Sequence, residues 1–343
     1  MLEDVREVLA GEEAWVVGGA VRDELLGRPL VDLDVACRDP EQAARAYAAR
    51  TGEAIFPLSE RHGAWRVAHD DGRTVDFTPL PDEGIEADLE TRDFTINAIA
   101  RPVEGGSEAD PFEGRKDLEE QRLRAVRPSG FEDDPLRLLR AVRFEQELGF
   151  ALDEETERLV REHAGLVTHP AGERILEELG KLSPQSYRRL DELGLLAPLG
   201  GSLEQVDRVE EKEPGPLVLV AVFGEALERL PISRELTRYA RTLLRAELPP
   251  DLSARSIHRF RRATEPWALD AVTLLGGGPE TAEVVGQART MDPAEPLVRG
   301  DELDLPPGPE IGRILGLIEE ERAAGTISTR EEALELARKE AQR

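Results

Sequence analysis

Cysteine is nearly missing from this 343-residue chain: Cys37 stands alone. One thiol rules out a disulfide framework and a thiolate zinc cluster, and it suits a reducing compartment. Lysine is almost as scarce, with only Lys116, Lys181, Lys212 and Lys339 beside the arginines. No apolar run approaches ~20 residues, which excludes a transmembrane helix. Residues 1–14 carry acids and no apolar core, so no secretory signal is expected. A cytoplasmic protein is the expectation, with no membrane and no protein partner. Positive charge is short too: 44 basic residues against 71 acidic leave −27. On average that argues against nucleic-acid binding, which rests on phosphate neutralisation. Local patches do such binding, however, and arginine is the better phosphate fork.

Apolar residues make up 40% of the chain, enough for a core, and the length suits two or three domains. Residues 15–100 read as mixed α/β. A short apolar strand (15–19) ends in a glycine pair, and a helix (20–27) stops at Gly27. Residues 30–36 alternate as a strand does. Pro40 and Gly52 bracket a helix. Residues 63–80 predict a hairpin with Asp70-Asp71-Gly72 as its turn. After about residue 115 the pattern turns helical: 134–149, 152–165 and 172–182 all space their apolar residues near 3.6. Prolines and glycines break the region 248–310. Helices are expected again over 308–325 and 329–342.

The head concentrates the polar motifs. Gly18 and Gly19 follow a strand and precede a helix, where bare backbone can approach a phosphate. Arg22 and Asp23 lie one turn further on, and Arg22 could fork onto a triphosphate. Asp32 and Asp34 share one strand face by period two. Two adjacent acids repel unless a cation bridges them, and oxygen-only ligands favour Mg²⁺. Asp76, on a later strand, is a candidate third acid for in-line displacement at phosphorus. Arg92, Asp93 and Asn97 form a tight polar cluster. Asp133 and Asp134 precede a helix that carries Arg137, Arg140 and Arg143. Capping is the ordinary role of acids there. Asp134 with Arg137 could instead read the edge of a base.

These residues resemble a known family. GGAVRDELLGRPLVDLDVA, TRDFTINAIA, DPFEGRKDLEEQRLRAV, FEDDPLRLLRAVRFEQELGF and GERILEELGKL are similar to the ordered motifs of class II tRNA nucleotidyltransferases, a family that includes bacterial poly(A) polymerases. The likeness continues into the C-terminal segment, so it spans nearly the whole chain. It implies an α/β nucleotidyltransferase head with a mixed, mainly antiparallel sheet, followed by an all-α neck, body and tail. The divisions expected are a catalytic head (1–125), a base-recognising neck (126–190), a body (191–250) and a tRNA-binding tail (251–343). The implied activity is template-independent addition of nucleotides to the tRNA 3′ end. By the same resemblance Asp32 and Asp34 would bind Mg²⁺, with Asp76 as the further catalytic acid. Gly18, Gly19 and Arg22 would meet the nucleotide phosphates. Arg92 and Asp93 would contact triphosphate and ribose, beside Asn97. Asp134 and Arg137 would read the base, and Arg140 would help hold the nucleotide.

Three departures stand out. Thr91 replaces a second arginine, Asp133 replaces glutamate, and the stretch from Asp76 to Asp88 is short. In the family a shortened loop there goes with enzymes that add CC and stop. CTP is therefore the expected substrate, with ATP and full CCA addition as the alternative. A poly(A) polymerase is less well matched, because CRDPEQAARAY follows the acid strand and the chain ends acidic. A non-catalytic RNA-binding relative would have lost the acid pair or the base reader, and both are intact. The segment 234–262 runs against the global charge. Arg238, Arg241 and Arg245 share one helical face, as do Arg255, Arg259 and Arg262. These six are the expected tRNA contacts, with neutralisation by the chain's own acids as the competing account.

Overall fold

The computed structural model describes residues 1–59, 63–290 and 295–342. The chain falls into two compact units: Met1–Leu182 with Arg188–Leu199, and Ser183–Tyr187 with Gly200–Arg343.

The first unit opens with α1 (Leu2–Val8), β1 (Ala14–Val17), α2 (Gly19–Leu25) and β2 (Asp32–Cys37). Then come α3 (Pro40–Thr51), β3 (Ala54–Ser59), β4 (Ala64–Ala68), β5 (Thr74–Pro79), α4 (Ile85–Glu90) and β6 (Ala100–Pro102). The strands form one sheet in the order β3-β4-β5-β2-β1-β6. Only the central β2–β5 pair is parallel; the other neighbours are antiparallel. The mixed, mainly antiparallel head is therefore as expected.

Local chemistry accounts for the elements. On β2, Leu33 and Val35 are buried while Asp32 and Asp34 take the opposite, more open face, as a pleat requires. On α3, the Asp39 side chain accepts from the Gln42 N–H at 3.0 Å, Pro40 opens the helix, and Gly52 closes it in the left-handed conformation. The β4–β5 hairpin forms at the expected turn, with the Gly72 N–H donating to the His69 carbonyl. Two strands escaped the sequence reading. β3 contains Pro57, which is tolerated because β3 is an edge strand. β6 is only three residues long and sits at the opposite edge. Helix α4 also went unread; its buried Ile85 and Leu89 are four apart, on one face.

Beyond residue 113 come α5 (Gly114–Glu119), β7 (Arg122–Leu123), α6 (Gly130–Asp133), α7 (Arg137–Leu148), β8 (Ala151–Leu152), α8 (Glu154–Glu162), α9 (Gly172–Leu179) and α10 (Pro184–Glu192). β7 and β8 make one short parallel pair in a stretch expected to lack strands. Helix α7 begins at Arg137, three residues later than its apolar spacing alone suggests, because Asp134 is extended.

The second unit contains α11 (Pro216–Phe223), α12 (Arg234–Leu244), α13 (Ala254–Thr264), α14 (Ala268–Leu274), α15 (Pro279–Thr290), α16 (Pro309–Ala323) and α17 (Arg330–Ala341). Leu217 to Phe223 are all buried, making α11 a core helix. Among the described residues, α13, α14 and α15 fall in the region 248–310, with Pro266 and Gly276 to Gly278 between them. Val298, Leu303, Ile314, Ile318, Ala333 and Ala337 form a separate apolar cluster around α16 and α17.

Gly114 is required by packing: a Cβ there would run into the Thr95 carbonyl oxygen and come within 2.8 Å of Ile99. Gly114→Ala should lower stability by about 1–3 kcal/mol, the usual cost of overpacking. Gly286→Ala, where a Cβ meets nothing within 4 Å, should be neutral or slightly stabilising. Urea denaturation of both variants checks this, and equal effects would contradict the packing argument.

Candidate functional site

A cavity of about 670 Å³ opens in the first unit. Gly18, Gly19, Arg22, Asp32, Asp34, Arg92, Asp93, Asn97, Asp134, Arg137 and Arg140 all line it. The motifs, far apart in sequence, thus meet around one space. Its wall carries seven arginines and six acids, a slight cationic excess within a chain of −27.

The entrance to α2 is built on Gly18, whose φ of 67° favours glycine. A Cβ there would sit 3.3 Å from an Asp34 oxygen and 3.4 Å from Arg92. Arg22 is buried rather than solvated. It donates to Asn97 Oδ1 at 2.8 Å and forks Asp23 at 2.9 Å. Asn97 in turn donates to Asp93 Oδ1 at 2.9 Å, and Arg140 donates to Asp93 Oδ2 at 2.8 Å. Burial alone would raise the Asp93 pKa, but Arg140, Asn97 and the Phe94 N–H outweigh it, so the carboxyl is held below its ordinary range. Arg22, Arg140 and Arg143 all lie over the Phe144 ring, at 5.2, 5.2 and 4.4 Å. One aromatic ring thereby gathers three cations at the cavity wall.

Asp32 and Asp34 face the same cavity. The Thr74 hydroxyl donates to Asp32 at 2.7 Å. Burial pushes the Asp34 carboxyl up to about 6, reinforced by Asp76 and Asp32 and only partly offset by Arg92 and Arg66. Asp76 lies opposite Asp34 in the β2–β5 register but does not line the cavity. Arg66, its partner across the β4–β5 hairpin, forks it at 2.7 and 2.6 Å. Among the described residues, no group of three or more acids, histidines or cysteines converges in metal-ligand geometry. The oxygen pair Asp32 and Asp34 by itself fits a hard divalent cation: two adjacent carboxylates, one reluctant to ionise, open onto a cavity.

Asp134 and Arg137 do not pair with each other in this structure. The Arg174 fork on α9 meets Asp134 at 2.9 and 3.2 Å. Arg137 instead donates to the main-chain carbonyls of Thr91 and, at 3.1 Å, Arg92. Arg92 itself is held by Asp88 at 2.7 Å. Sequence reading missed Arg66, Arg174 and Phe144 as members of the site. The hairpin turn carried a signal for Arg66, because it fixes Arg66 opposite Asp76; Arg174 is 40 residues from its partner and carried none.

The six arginines expected to meet tRNA lie in the second unit. Arg241 pairs with Glu228, Arg255 with Glu321, Arg259 with Glu320 and Arg262 with Glu319. Arg238 lies over Trp267, and Arg245 is exposed at the C-terminal end of α12.

Residues 14–124 match the family model of the poly A polymerase head domain, and residues 149–203 match that of a probable RNA- and SrmB-binding site of polymerase A. An A-adding tRNA nucleotidyltransferase of Deinococcus radiodurans is 38% identical over 76% of this chain and 64% of its own length. The chain thus spans slightly under two thirds of that relative. A CC-adding tRNA nucleotidyltransferase of Thermus thermophilus is 32% identical over 94% of this chain and 92% of its own. A solved CCA-adding enzyme in complex with ATP shares the fold, with a TM-score of 0.81 at 23% identity, over 97% of this chain and 94% of that one.

The Asp34 environment makes a pH prediction. Its folded pKa lies above its ordinary value, so between 3.8 and about 6 the folded state holds the extra proton. Stability therefore falls as pH rises through that window and stays lowered above it. Asp34→Asn should raise Tm most near neutral pH, with the gain shrinking toward the acid end. Magnesium should raise the wild-type Tm near neutral pH and leave Asp34→Asn unmoved. A pH-independent Tm difference would contradict the assignment.

Proposed function

The chain belongs to the class II tRNA nucleotidyltransferase family, and we propose that it transfers cytidylate from CTP to the 3′ end of tRNA without a nucleic-acid template. The observation that carries this reading is the meeting of the β2 acid pair, the phosphate-facing glycines and the Asp134–Arg137 pair around one arginine-rich cavity. In the reaction, the tRNA 3′-hydroxyl oxygen bonds to the α-phosphorus of CTP. The bond from that phosphorus to pyrophosphate breaks, and the hydroxyl proton passes to water. In this reading residues 1–125 are the catalytic head, 126–190 the base-reading neck, 191–250 the body and 251–343 the tail.

Each residue has a part in that chemistry. Asp32 and Asp34 would hold Mg²⁺, which neutralises charge on the triphosphate. Asp76, restrained by Arg66, sets the field around Asp34 from the neighbouring strand. Gly18 and Gly19 leave room for the triphosphate, and Arg22, Arg92 and Arg140 surround it with donors. Asp93, beside Asn97, would meet a ribose hydroxyl. For base selection, cytosine and adenine both present an exocyclic amine beside a ring-nitrogen acceptor. Asp134 accepts from the amine and Arg137 donates to the ring nitrogen. Uracil and guanine reverse that order and leave both groups unpaired, at ~1–3 kcal/mol each.

The reading extends to CC addition rather than full CCA. Moving from cytosine to the larger adenine requires Asp134 and Arg137 to shift, and a mobile loop is a natural lever. Support comes from the stretch between β5 and the 92–97 cluster, which is short and tied down. Leu80, Ile85 and Leu89 are packed in the core, and Arg38 donates to the Pro81 carbonyl at 3.0 Å. Little is left to swing.

The assay is extension of tRNA with CTP and ATP offered separately. Magnesium-dependent CMP addition to tRNA lacking its CCA end is expected, and its absence would remove the reading. Asp32→Ala and Asp34→Ala should each abolish transfer. On tRNA ending in CC, ATP should give no product; stoichiometric adenosine addition would restore the CCA-adding alternative. Asp134→Ala or Arg137→Ala should weaken selection against UTP and GTP by ~1.5–3 kcal/mol, the scale of one charged hydrogen bond. Steady-state rates with all four nucleotides measure that loss, and unchanged selectivity would mean the base is read elsewhere.

A further inference from the structure

The second unit carries two arginine stripes with different surroundings. On α13, Arg255, Arg259 and Arg262 recur at helical spacing, and each meets one of three consecutive glutamates of α16. Arg255 forks Glu321 at 3.1 and 2.6 Å. Arg259 forks Glu320 at 2.9 and 2.6 Å. Arg262 reaches Glu319 at 3.5 Å. The Glu320 and Glu321 side chains are only 13% and 18% exposed, so the arginine heads cover them. Gly316 belongs to the same fit, since a Cβ there would run into the Arg262 guanidinium. Moving these arginines onto phosphates would strip two covered carboxylates of their counter-charges, leaving Glu321 only the Thr326 hydroxyl, which opposes the exchange.

The α12 stripe is different. Arg234, Arg238, Arg241 and Arg245 follow one face, and Glu235 is the sole acid in that segment. Arg241 pairs with Glu228 at 2.7 Å, with both side chains largely exposed. Among the described residues, Arg234, Arg238 and Arg245 have no carboxylate at ion-pair distance. In a chain of −27, three exposed cations without an ion-paired acid are conspicuous in one stripe, although Arg245 still acts on Glu228 at longer range. Arg238 lies 5.0 Å over the Trp267 ring, and Trp267 lines a cavity of about 680 Å³ with Tyr239, Leu236 and Lys212. Glu235 and Asp270 also line that cavity, and Asp270 accepts from the Tyr239 hydroxyl at 2.9 Å. Cations spaced along a helix beside a half-buried tryptophan that lines a cavity match the two parts of single-stranded RNA, its phosphates and its stacking bases.

We propose that the RNA substrate lies along α12, with its phosphates on Arg234, Arg238 and Arg245 and an unpaired base against Trp267. The α13 stripe is a clasp onto α16 and touches no phosphate. The inference rests on the reading of RNA as substrate and divides the six expected arginine contacts into a binding face and a structural one. It also adds Arg234 and Trp267, which lie outside those six.

The test uses the full chain and a tRNA transcript lacking its CCA end, with binding measured by anisotropy over a range of salt concentrations. The triple variant Arg234→Gln/Arg238→Gln/Arg245→Gln should bind more weakly. Its slope of log affinity against log salt should be shallower by about two to three. Arg255→Gln/Arg259→Gln should keep affinity and slope while its Tm falls; if the double does not fold, the single variants are read the same way. Trp267→Ala should weaken binding with the slope unchanged, as loss of stacking rather than of charge. An unaltered slope in the α12 triple, or a shallower one in the α13 variants, would overturn the proposal. Wild-type protein that binds no tRNA at any salt would overturn both this and the functional reading. Normal wild-type binding with an unaltered triple would overturn the surface alone.

Discussion

Asp93 is a carboxylate kept almost entirely out of water, and much of the first unit is arranged to satisfy it. A buried charge without partners is strongly unfavourable, so its neighbours are constrained. The Phe94 N–H, Asn97 and Arg140 supply the donors. Asn97 can serve only because Arg22 fixes its oxygen end, and Arg140 can serve only because α7 is docked on the 92–97 segment. Arg137, one turn earlier on α7, ties the same segment through its carbonyls. The requirement of one anion thus couples α2, the 92–97 segment and α7. These elements hold, in turn, the triphosphate-facing arginine, the ribose-facing acid and a base-reading arginine of the proposed site.

A second constraint acts across the sheet. The parallel β2–β5 pair puts Asp34 directly opposite Asp76, two like charges at adjacent strand positions. The fold answers them differently. Asp76 receives a full guanidinium fork from β4, whereas Asp34 is left facing the cavity with its pKa raised. An acid pushed toward neutrality is one that a divalent cation can recover as a ligand. Burial first, and the register that sets Asp76 opposite second, disfavour the charge on Asp34. Arg66 acts on Asp34 twice, directly through its own positive charge and indirectly through Asp76. With Asp76 neutralised by its fork, the field at Asp34 is kept from rising further.

What could be read beforehand follows from the range of each interaction. The acid pair obeys a period of two on one strand, and the hairpin turn sets β4 against β5 over a few residues. Both are local, and both were legible. Arg22 reads as a phosphate contact, but its burial was not legible, because its partner Asn97 is 75 residues away and its aromatic support, Phe144, is further still. The Asp134–Arg137 pair looked self-contained at three residues' separation, yet each side chain turns to a distant group. Arg174 could not be assigned to Asp134 from spacing, since nothing in a helical pattern names its partner on another element. β3 was missed for a different reason: Pro57 counts against a strand until edge position is known, and edge position is a property of the whole sheet.

The net charge of −27 becomes intelligible when charges are sorted by partner rather than counted. Many arginines are met by nearby glutamates, as in the Arg158 pairs with Glu155 and Glu162 on α8. Exposed pairs of that kind contribute roughly 0–1 kcal/mol and remove arginines from any role in attraction. Average acidity therefore says little about where a polyanion can dock. Docking depends on the minority of cations that the fold leaves without a carboxylate, and on whether they fall in register. In the cavity of the first unit the arginines are shared among acids. On α12 they are exposed at helical spacing beside a tryptophan. Two surfaces of opposite design thus arise in one acidic chain: a crowded network of arginines shared among acids, and a helical row of arginines largely without ion-paired carboxylates.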